Sequence, residues 1–212
     1  MPTKRQFLLS TSALMTAAAL STAAFREASA SPTIQGAALI SPHSPTLGPA
    51  GAKVHIVEFI DPACEGCKGF YPIVKAVMAE YPGKIRLTVR HVAFHRGADY
   101  PVKVLEAARK QGKYWEVLDA LFAKQSNWAV NHKADPRLVM ESVKGVGLDL
   151  PRLELDMNAP DVAKFMQQDM ADAKILKVAQ TPDFYVNGKH LNPFGVNEFR
   201  ALVGSEVKAA YP

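Results

Sequence analysis

The sequence VHIVEFIDPACEGC, residues 54–67, joins a run of β-branched and aromatic residues to two cysteines. Such a run, with turn-forming residues on both sides, predicts a buried strand over residues 54–60. Apolar residues then recur at helical spacing, namely Phe70, Ile73, Val74, Val77 and Tyr81. Cys64 is therefore predicted to stand at the start of a helix that directly follows a buried strand.

Residues further along the chain predict a second strand and then a long helical block. Residues 85–92 alternate apolar and polar side chains, which is the period of a strand. Between about residues 100 and 178 the apolar spacing becomes helical, and it predicts a subdomain of about four helices. A strand, a helix and a strand thus precede a helical insertion, which we place at about residues 98–178.

The last part of the chain predicts a hairpin and a helix. The pair Asn187-Gly188 stands between two short apolar runs, which is a strong hairpin signal. A final helix is predicted over residues 196–208. The predicted fold class is α/β, with one domain over residues 53–212 that is interrupted by the helical insertion.

Residues 31–52 form the lead-in to this domain. They contain four prolines and many small residues, and the prolines are Pro32, Pro42, Pro45 and Pro49. This composition favours an extended or loop-like lead-in over a helix.

The first 30 residues have the features of a cleavable secretory signal. Lys4 and Arg5 precede a largely apolar, alanine-rich stretch, and Ala28-Ser29-Ala30 supplies small residues for cleavage. We expect export to the periplasm and removal of the signal after about Ala30. The general secretory route and the twin-arginine route both stay open.

The composition excludes several classes of function. The 212 residues are 48% hydrophobic and 21% charged, with a formal net charge of +5, which is ordinary for a globular protein. Neither a P-loop nor a GxGxxG motif is present, so nucleotide binding has no support. No cluster of Lys and Arg alternates with aromatic residues, so we expect no nucleic-acid partner.

Cys64 and Cys67 are the two cysteines of the chain. A disulfide across so short a loop restricts the unfolded chain little, which makes a purely structural cross-link a poor explanation. A helix N-terminus stabilises the thiolate, which is the attacking form in disulfide exchange. Cys67 lies one turn further on the same face, where it can resolve a mixed disulfide. We expect this dithiol to serve without an added cofactor or metal.

The main alternative for the cysteines is half of a zinc site. Two further ligands would be needed, and His91 and His95 are four residues apart. Because they straddle a predicted strand end, that spacing does not make them converge as it would on a helix.

Two further features bear on the dithiol. Glu58 sits centrally in the apolar strand, where a buried carboxylate could carry protons to and from a thiol; the alternative is an edge position in solvent. Thr181-Pro182 precedes the hairpin and is a candidate cis peptide. The alternative for Pro182 is an ordinary trans turn.

Residues 59–67, Pro72 and residues 181–188 resemble the corresponding motifs of the exported DsbA-type thiol-disulfide oxidoreductases. The resemblance extends over residues 50–205 and includes the helical block. It implies a thioredoxin-like fold with an inserted helical subdomain. It also implies secreted or periplasmic proteins as substrates and a membrane protein as the redox partner.

The resemblance assigns roles to individual residues. It makes Cys64 the nucleophile and Cys67 the resolving thiol. It makes Pro182 a cis-proline packed against the dithiol, and it assigns substrate docking to the backbone of Thr181. Glu58, six residues before Cys64, matches the buried acid of the family.

The chain also departs from the family pattern. Glu65-Gly66 stands between the cysteines where the strongest oxidant of the family has Pro-His. An anionic Glu65 disfavours a second negative charge on Cys64, so we expect a milder oxidant. Thr181 resembles the residue before the cis-proline of the disulfide isomerases, yet the 22 residues from Ser31 to Ala52 leave no room for their dimerisation domain. We expect a monomer.

Three functions therefore stay open. The first is an exported dithiol oxidase that passes its disulfide to secreted proteins. The second is an isomerase or reductase that a membrane partner keeps reduced. The third is a thioredoxin-fold module that uses the thiols as soft ligands for copper or zinc.

Overall fold

A computed structural model describes residues 34–212, so the signal predicted over residues 1–30 lies outside the described residues. The strands are β1 (Thr46–Leu47), β2 (Val54–Ile60), β3 (Ile85–His91), β4 (Ala129–Val130), β5 (Lys133–Ala134), β6 (Asp183–Val186) and β7 (Lys189–His190). The helices are α1 (Ile34–Leu39), α2 (Glu65–Glu80), α3 (Asp99–Lys110), α4 (Tyr114–Ala123), α5 (Gln125–Trp128), α6 (Pro136–Val143), α7 (Leu150–Met157), α8 (Pro160–Leu176) and α9 (Val196–Ala210).

β2 lies at the centre of the main sheet, whose order within the described residues is β1-β3-β2-β6-β7. It runs parallel to β3, with Glu58 beside Val89, and antiparallel to β6, with Glu58 beside Phe184. All residues of β2 except His55 are buried. The predicted buried strand over residues 54–60, leading directly into the dithiol, is thereby confirmed, as is the α/β fold class.

The two faces of this sheet pack against different parts of the chain. Alternate residues of a strand point to opposite faces, and Ile56 and Ile60 lie in a core that includes both cysteines and residues of α2 and α9. We call this side the dithiol face. Val57 and Phe59 lie in a second core with residues of α1 and α8. We call that side the lead-in face.

The lead-in face contains a buried ion-pair network centred on Arg90 of β3, a residue that is fully buried. The guanidinium of Arg90 donates to Asp169 at 2.8 Å and to Asp172 at 2.5 Å, both on α8. It also donates to the carbonyl oxygen of Ala38 at 2.6 Å. The Nε2 atom of His43 lies 3.1 Å from a carboxylate oxygen of Asp169. The lead-in is therefore tied to both β3 and α8.

The prediction of an extended lead-in over residues 31–52 is wrong in part, because the structure has α1 and β1 there. α1 packs against α8, and Arg90 binds the carbonyl of Ala38 in its last turn. β1 pairs antiparallel with β3, with Thr46 beside Thr88. These partners are distant in sequence, and tertiary contacts override local propensity.

The helical insertion lies where it was predicted, but its content differs. Residues 99–176, all of them described, contain six α-helices rather than about four, together with a short 3-10 helix (Lys144–Val146) and a small hairpin of β4 and β5. Asp135 and Asp149 cap α6 and α7 with their side chains. The extra elements were missed because a two-residue strand and the four-residue α5 are too short to show a period.

The predicted hairpin and last helix are confirmed. Asn187 and Gly188 have φ values of 48° and 80°, as a type I′ turn between β6 and β7 requires. α9 follows over Val196–Ala210, close to the predicted span. Among residues 34–212, no helix has the length and apolar character needed to cross a membrane.

Candidate active site

Cys64 stands immediately before the first turn of α2. Its backbone is extended, with φ −80° and ψ 124°, and its carbonyl oxygen accepts a hydrogen bond from the N–H of Lys68 at 3.2 Å. The Sγ atom lies 3.2 Å from the carbonyl oxygen of Thr181. The backbone N–H groups of Gly66 and Cys67 also interact with Sγ. The sulfur therefore sits at the positive end of the helix dipole.

These surroundings lower the pKa of the Cys64 thiol to about 5. The largest cause is the hydrogen bond from the Cys67 side chain. Burial opposes it, and the Thr181 side chain and the backbone N–H groups of Cys67 and Gly66 add to the lowering. Cys64 is thus a thiolate at neutral pH. This is the charge state that attacks a disulfide.

Cys67 has the opposite character. It is fully buried, and this burial raises its pKa well above the ordinary value. The hydrogen bond and charge of Cys64 and the charge of Glu58 raise the pKa further, while the backbone N–H of Asp61 acts against them. Both cysteines are free and buried, and they differ in charge state: Cys64 has a lowered pKa and Cys67 a raised one.

The loop before β6 packs against the dithiol. The Thr181-Pro182 peptide bond is cis, so the trans alternative is not adopted. A Cβ atom placed on Gly66 would lie 3.3 Å from Pro182 Cδ, 3.4 Å from Thr181 O and 3.5 Å from Cys64 Sγ. The absence of a side chain at Gly66 permits this close approach of the loop.

Glu58 lies on the dithiol face of β2 and is 2% exposed. Burial raises the pKa of its carboxyl group to about 8. Its charge acts on Cys67, whose pKa it raises. The alternative of an edge position in solvent is excluded by the burial of Glu58 and by the central place of β2 in the sheet.

Asp61, a turn-forming residue directly after β2, holds the loop before Cys64, a role that was not predicted. It is fully buried. One carboxylate oxygen accepts the N–H of Ala63 at 2.8 Å. The other accepts the N–H groups of Phe94 and His95 at 2.8 Å and the ring of His95 at 2.7 Å. The tendency of Asp to accept a hydrogen bond from the backbone two residues on is the sequence signal that could have indicated this role.

Gln125 of α5 is a second residue that the sequence analysis missed. It is 2% exposed, and its Nε2 atom donates to the carbonyl oxygens of Pro62 at 2.8 Å and Cys64 at 2.9 Å. The helical insertion therefore contacts the dithiol loop directly. No local pattern around Gln125 shows this, because its partners are about 60 residues earlier in the chain.

The two histidines considered as zinc ligands are engaged elsewhere. His91 Nδ1 lies 3.2 Å from a carboxylate oxygen of Glu106, and its Nε2 lies 2.8 Å from the hydroxyl of Tyr114. His95 is bound to Asp61. Within the part of the chain that the structure describes, no three His, Cys, Asp or Glu side chains gather in a way that could hold a metal ion.

Comparison with known proteins relates this site to a family. A family model described as thioredoxin matches residues 41–205. The crystal structure of a thioredoxin-like oxidoreductase from Silicibacter pomeroyi DSS-3 is similar with a TM-score of 0.68 and 30% identity, over 80% of this chain and 93% of that chain. That of Wolbachia pipientis alpha-DsbA1 has a TM-score of 0.73 at 17% identity, over 84% and 98% of the two chains.

Curated relatives by sequence are of two kinds. Disulfide bond formation protein D of Bacillus subtilis (strain 168) is 25% identical over 189 residues, which is 85% of this chain and 81% of that protein. The Na(+)/H(+) antiporter NhaA of Herminiimonas arsenicoxydans is 28% identical over 68% of this chain, but the chain spans 22% of its length. The thioredoxin family model covers most of this chain, and the 30% identical thioredoxin-like oxidoreductase is matched over 93% of its own length. The chain therefore belongs to the thioredoxin family, as a member with the DsbA-like fold.

Proposed function

We propose that this protein is an exported thiol-disulfide oxidoreductase that works chiefly as a dithiol oxidase of secreted or periplasmic proteins. The observation that carries the proposal is the contrast within the dithiol. Cys64 has a pKa lowered to about 5 at a helix N-terminus, and Cys67 is a buried thiol one turn further on. Stabilising the thiolate of the reduced form makes a dithiol oxidising.

The reaction starts from the Cys64-Cys67 disulfide and needs no other redox group. A substrate thiolate attacks Cys64 Sγ, a mixed disulfide forms, and Cys67 leaves as a thiolate that takes up a proton. A second substrate thiolate then attacks the substrate sulfur of the mixed disulfide, and Cys64 leaves as a thiolate. The substrate gains one disulfide, and the protein ends as a dithiol that a membrane redox partner reoxidises.

Glu58 supplies the proton that Cys67 takes up. With a pKa of about 8, its carboxyl group is protonated at neutral pH, so it can donate. When the reaction runs in reverse, the same carboxylate accepts the proton of Cys67 as that thiol attacks the mixed disulfide. A group whose pKa lies near the working pH serves well in both directions.

Substrate docks across the loop that holds Thr181 and Pro182. The carbonyl oxygen of Thr181 lies against Cys64 Sγ, and a substrate backbone beside it would reach the sulfur. Phe94 and Phe194 are exposed aromatic residues. The backbone N–H of Phe94 donates to Asp61 in the loop before Cys64, and the Phe194 ring packs on Phe70 of α2 and on Phe184. Exposed apolar side chains of this kind suit an unfolded polypeptide.

The oxidant is proposed to be milder than the strongest member of its family. Thiol pKa values in such dithiols span about 3.5 in that oxidant to about 7 in thioredoxin, and Cys64 lies between them. Glu65 is exposed in the first turn of α2, where its negative charge opposes that of the thiolate.

The deciding experiment is the reduction potential of the dithiol, equilibrated in glutathione buffers and read by thiol alkylation. We expect a value between about −120 mV and about −200 mV. Glu65→Gln should make the potential more oxidising, whereas Glu80→Gln at the far end of α2 should leave it unchanged. A potential below about −200 mV would instead support a reductase or isomerase kept reduced by a membrane partner.

Trapping tests the chemistry itself. Cys67→Ser should accumulate mixed disulfides between Cys64 and secreted proteins, and a reductant should release them. Cys64→Ser is the matched control and should give none. If Cys67→Ser forms no adduct and the reduced protein instead binds copper or zinc stoichiometrically, the thiols are metal ligands and the proposal fails.

A further inference from the structure

The contacts of Gln125 form a clamp on the dithiol loop. A side-chain amide nitrogen carries two hydrogen atoms, and both are used: one goes to the carbonyl of Pro62 and the other to the carbonyl of Cys64. Both partners can only accept, so the amide must present its nitrogen to them. The orientation of Gln125 is therefore fixed by its surroundings.

The two carbonyls belong to the peptide groups on either side of the Ala63-Cys64 pair. When these two peptide groups are held in place, the backbone dihedral angles of Ala63 and Cys64 are restricted. These angles determine the direction of the Cys64 side chain. Within the loop, the carboxylate of Asp61 accepts the N–H of Ala63. The segment before α2 is thus held both by its own residue Asp61 and by Gln125 of the helical insertion.

A neighbouring contact offers an internal comparison. Ser126, the next residue of α5, accepts a hydrogen bond from the Lys68 ammonium group at 3.0 Å. That contact also joins α5 to α2, but it is exposed and does not touch the loop that carries Cys64. Changing Ser126 therefore tests whether α5 only packs against α2, whereas changing Gln125 tests whether α5 also positions Cys64.

We propose that Gln125 is a positioning residue of the dithiol: its buried amide fixes the two carbonyls that flank the nucleophile and so keeps Cys64 Sγ aimed at the N–H groups of the first turn of α2. The inference rests on the proposed function, since it names a residue that acts on the same site. It makes the helical insertion part of the catalytic apparatus through one side chain.

The physical consequence concerns the charge on Cys64. Its thiolate is stabilised by short-range hydrogen bonds from the side chains of Cys67 and Thr181 and from backbone N–H groups, and such bonds weaken steeply when the geometry is lost. Without the clamp, the loop can rotate and the thiolate loses part of that stabilisation. The expected result is a higher pKa for Cys64.

The experiment is a titration of the Cys64 thiolate in the full reduced chain, followed by its ultraviolet absorbance. Gln125→Met keeps the length of the side chain and removes both donors, and it should raise the pKa of Cys64 by about one unit. Gln125→Glu places an acceptor against two carbonyls and should raise the pKa at least as much. Ser126→Ala is the matched control and should change it by less than about 0.2 units.

The outcomes separate the two proposals. If wild-type Cys64 titrates near 5 and Gln125→Met titrates at the same pH, Gln125 only packs α5 and the positioning role is wrong. If Ser126→Ala shifts the pKa equally, docking of α5 is responsible, and the inference is wrong again. If wild-type Cys64 titrates as an ordinary thiol, the proposed function itself fails.

A folding defect does not leave the question open. Each variant is first compared with the wild type by circular dichroism. Should Gln125→Met not fold, Gln125→Asn replaces it, because its amide is one methylene too short to reach both carbonyls. A folded Gln125→Asn protein should show a smaller upward shift of the Cys64 pKa, and an unchanged pKa would overturn the inference.

Discussion

The two faces of the central sheet each bury a carboxylate, and they treat it in opposite ways. On the lead-in face, Asp169 is bound by Arg90, by His43 and by the backbone N–H of His91. Burial opposes its ionisation, but the hydrogen bond from His43 and the charge of Arg90 outweigh burial and hold its pKa below the ordinary value. On the dithiol face, burial raises the pKa of Glu58 to about 8.

This difference separates a structural acid, Asp169, from Glu58, the acid proposed to exchange protons with Cys67. A buried carboxylate with an arginine partner keeps its charge and holds elements together, and the Arg90 network joins α1, β3 and α8. A buried carboxylate in an apolar core titrates near neutral pH and can exchange a proton. The lead-in face thus contains a carboxylate that stays charged, and the dithiol face contains a carboxyl group that titrates near neutral pH.

Removing Arg90 tests whether the ion-pair network of the lead-in face stabilises the fold, and it should have the largest effect on stability. Arg90→Met leaves the buried carboxylates of Asp169 and Asp172 without their cation, so the free energy of unfolding should fall by about 3–5 kcal/mol. Urea unfolding at neutral pH measures it. Arg86→Met, in the same strand but outside the network, is the control and should cost less than about 1 kcal/mol. Equal losses for the two variants would contradict the distinction.

Replacing Glu58, the proposed proton donor, by a neutral residue should stabilise the fold while slowing disulfide exchange. The pKa of Glu58 is about 8 in the folded chain against 4.5 as the ordinary value, so the folded state is penalised as the pH rises through this range. Glu58→Gln should raise the free energy of unfolding by about 3 kcal/mol at about pH 7 and change it little at about pH 4. Disulfide exchange should slow by at least about tenfold.

Unfolding curves at the two pH values and a turnover assay check this prediction. A loss of stability at neutral pH would mean that Glu58 has a partner which holds it charged. In that case the two faces would not differ in the way described.

The charge on Cys64 gives a third, intermediate effect. Its lowered pKa of about 5 means that the rate of alkylation should rise about tenfold between about pH 4 and about pH 6 and then level off. Cys67→Ala should move the midpoint upward, because the hydrogen bond from Cys67 is the largest cause of the lowering. Mass spectrometry of alkylated protein gives both midpoints; a wild-type midpoint near that of a free thiol would refute the assignment.

The smallest effect is expected at the rim of the Arg90 network. His43→Leu removes one hydrogen bond to Asp169 and the stacking of the His43 ring on Phe165, and should cost about 1 kcal/mol. Hydrogen exchange at β1 should accelerate, since His43 lies in the lead-in just before it, while exchange at β7 should not. Uniform acceleration would show that His43 is not specific to the lead-in.

The sequence allowed the sheet around the dithiol to be predicted well. The strand, the helix after Cys64, the second strand and the Asn187-Gly188 hairpin all carry strong local periods or turn signals. The dithiol and the buried acid Glu58 were found because their residue types are unusual in such a setting. Each of these features depends on residues that are close together in the sequence, and the strands, the helix and the hairpin lie where they were predicted.

The features that escaped prediction depend on partners far along the chain. α1 is held through Arg90, more than 50 residues later, and α5 of the insertion has too few residues to show a helical period. Asp61 and Gln125 look like an ordinary turn residue and an ordinary helix residue. Their importance comes from hydrogen bonds to a loop that only the folded chain brings to them.

The pairing of β1 with β3 has a consequence for a protein proposed to meet unfolded polypeptides. Thr46 and Leu47 pair with Thr88 and Leu87, and the carbonyl of Pro45 accepts the N–H of Val89 at 3.0 Å. An uncovered β3 would present a row of free N–H and C=O groups, which is a template for strand addition and aggregation. The lead-in thus shields this sheet edge from the very chains that the dithiol is proposed to oxidise.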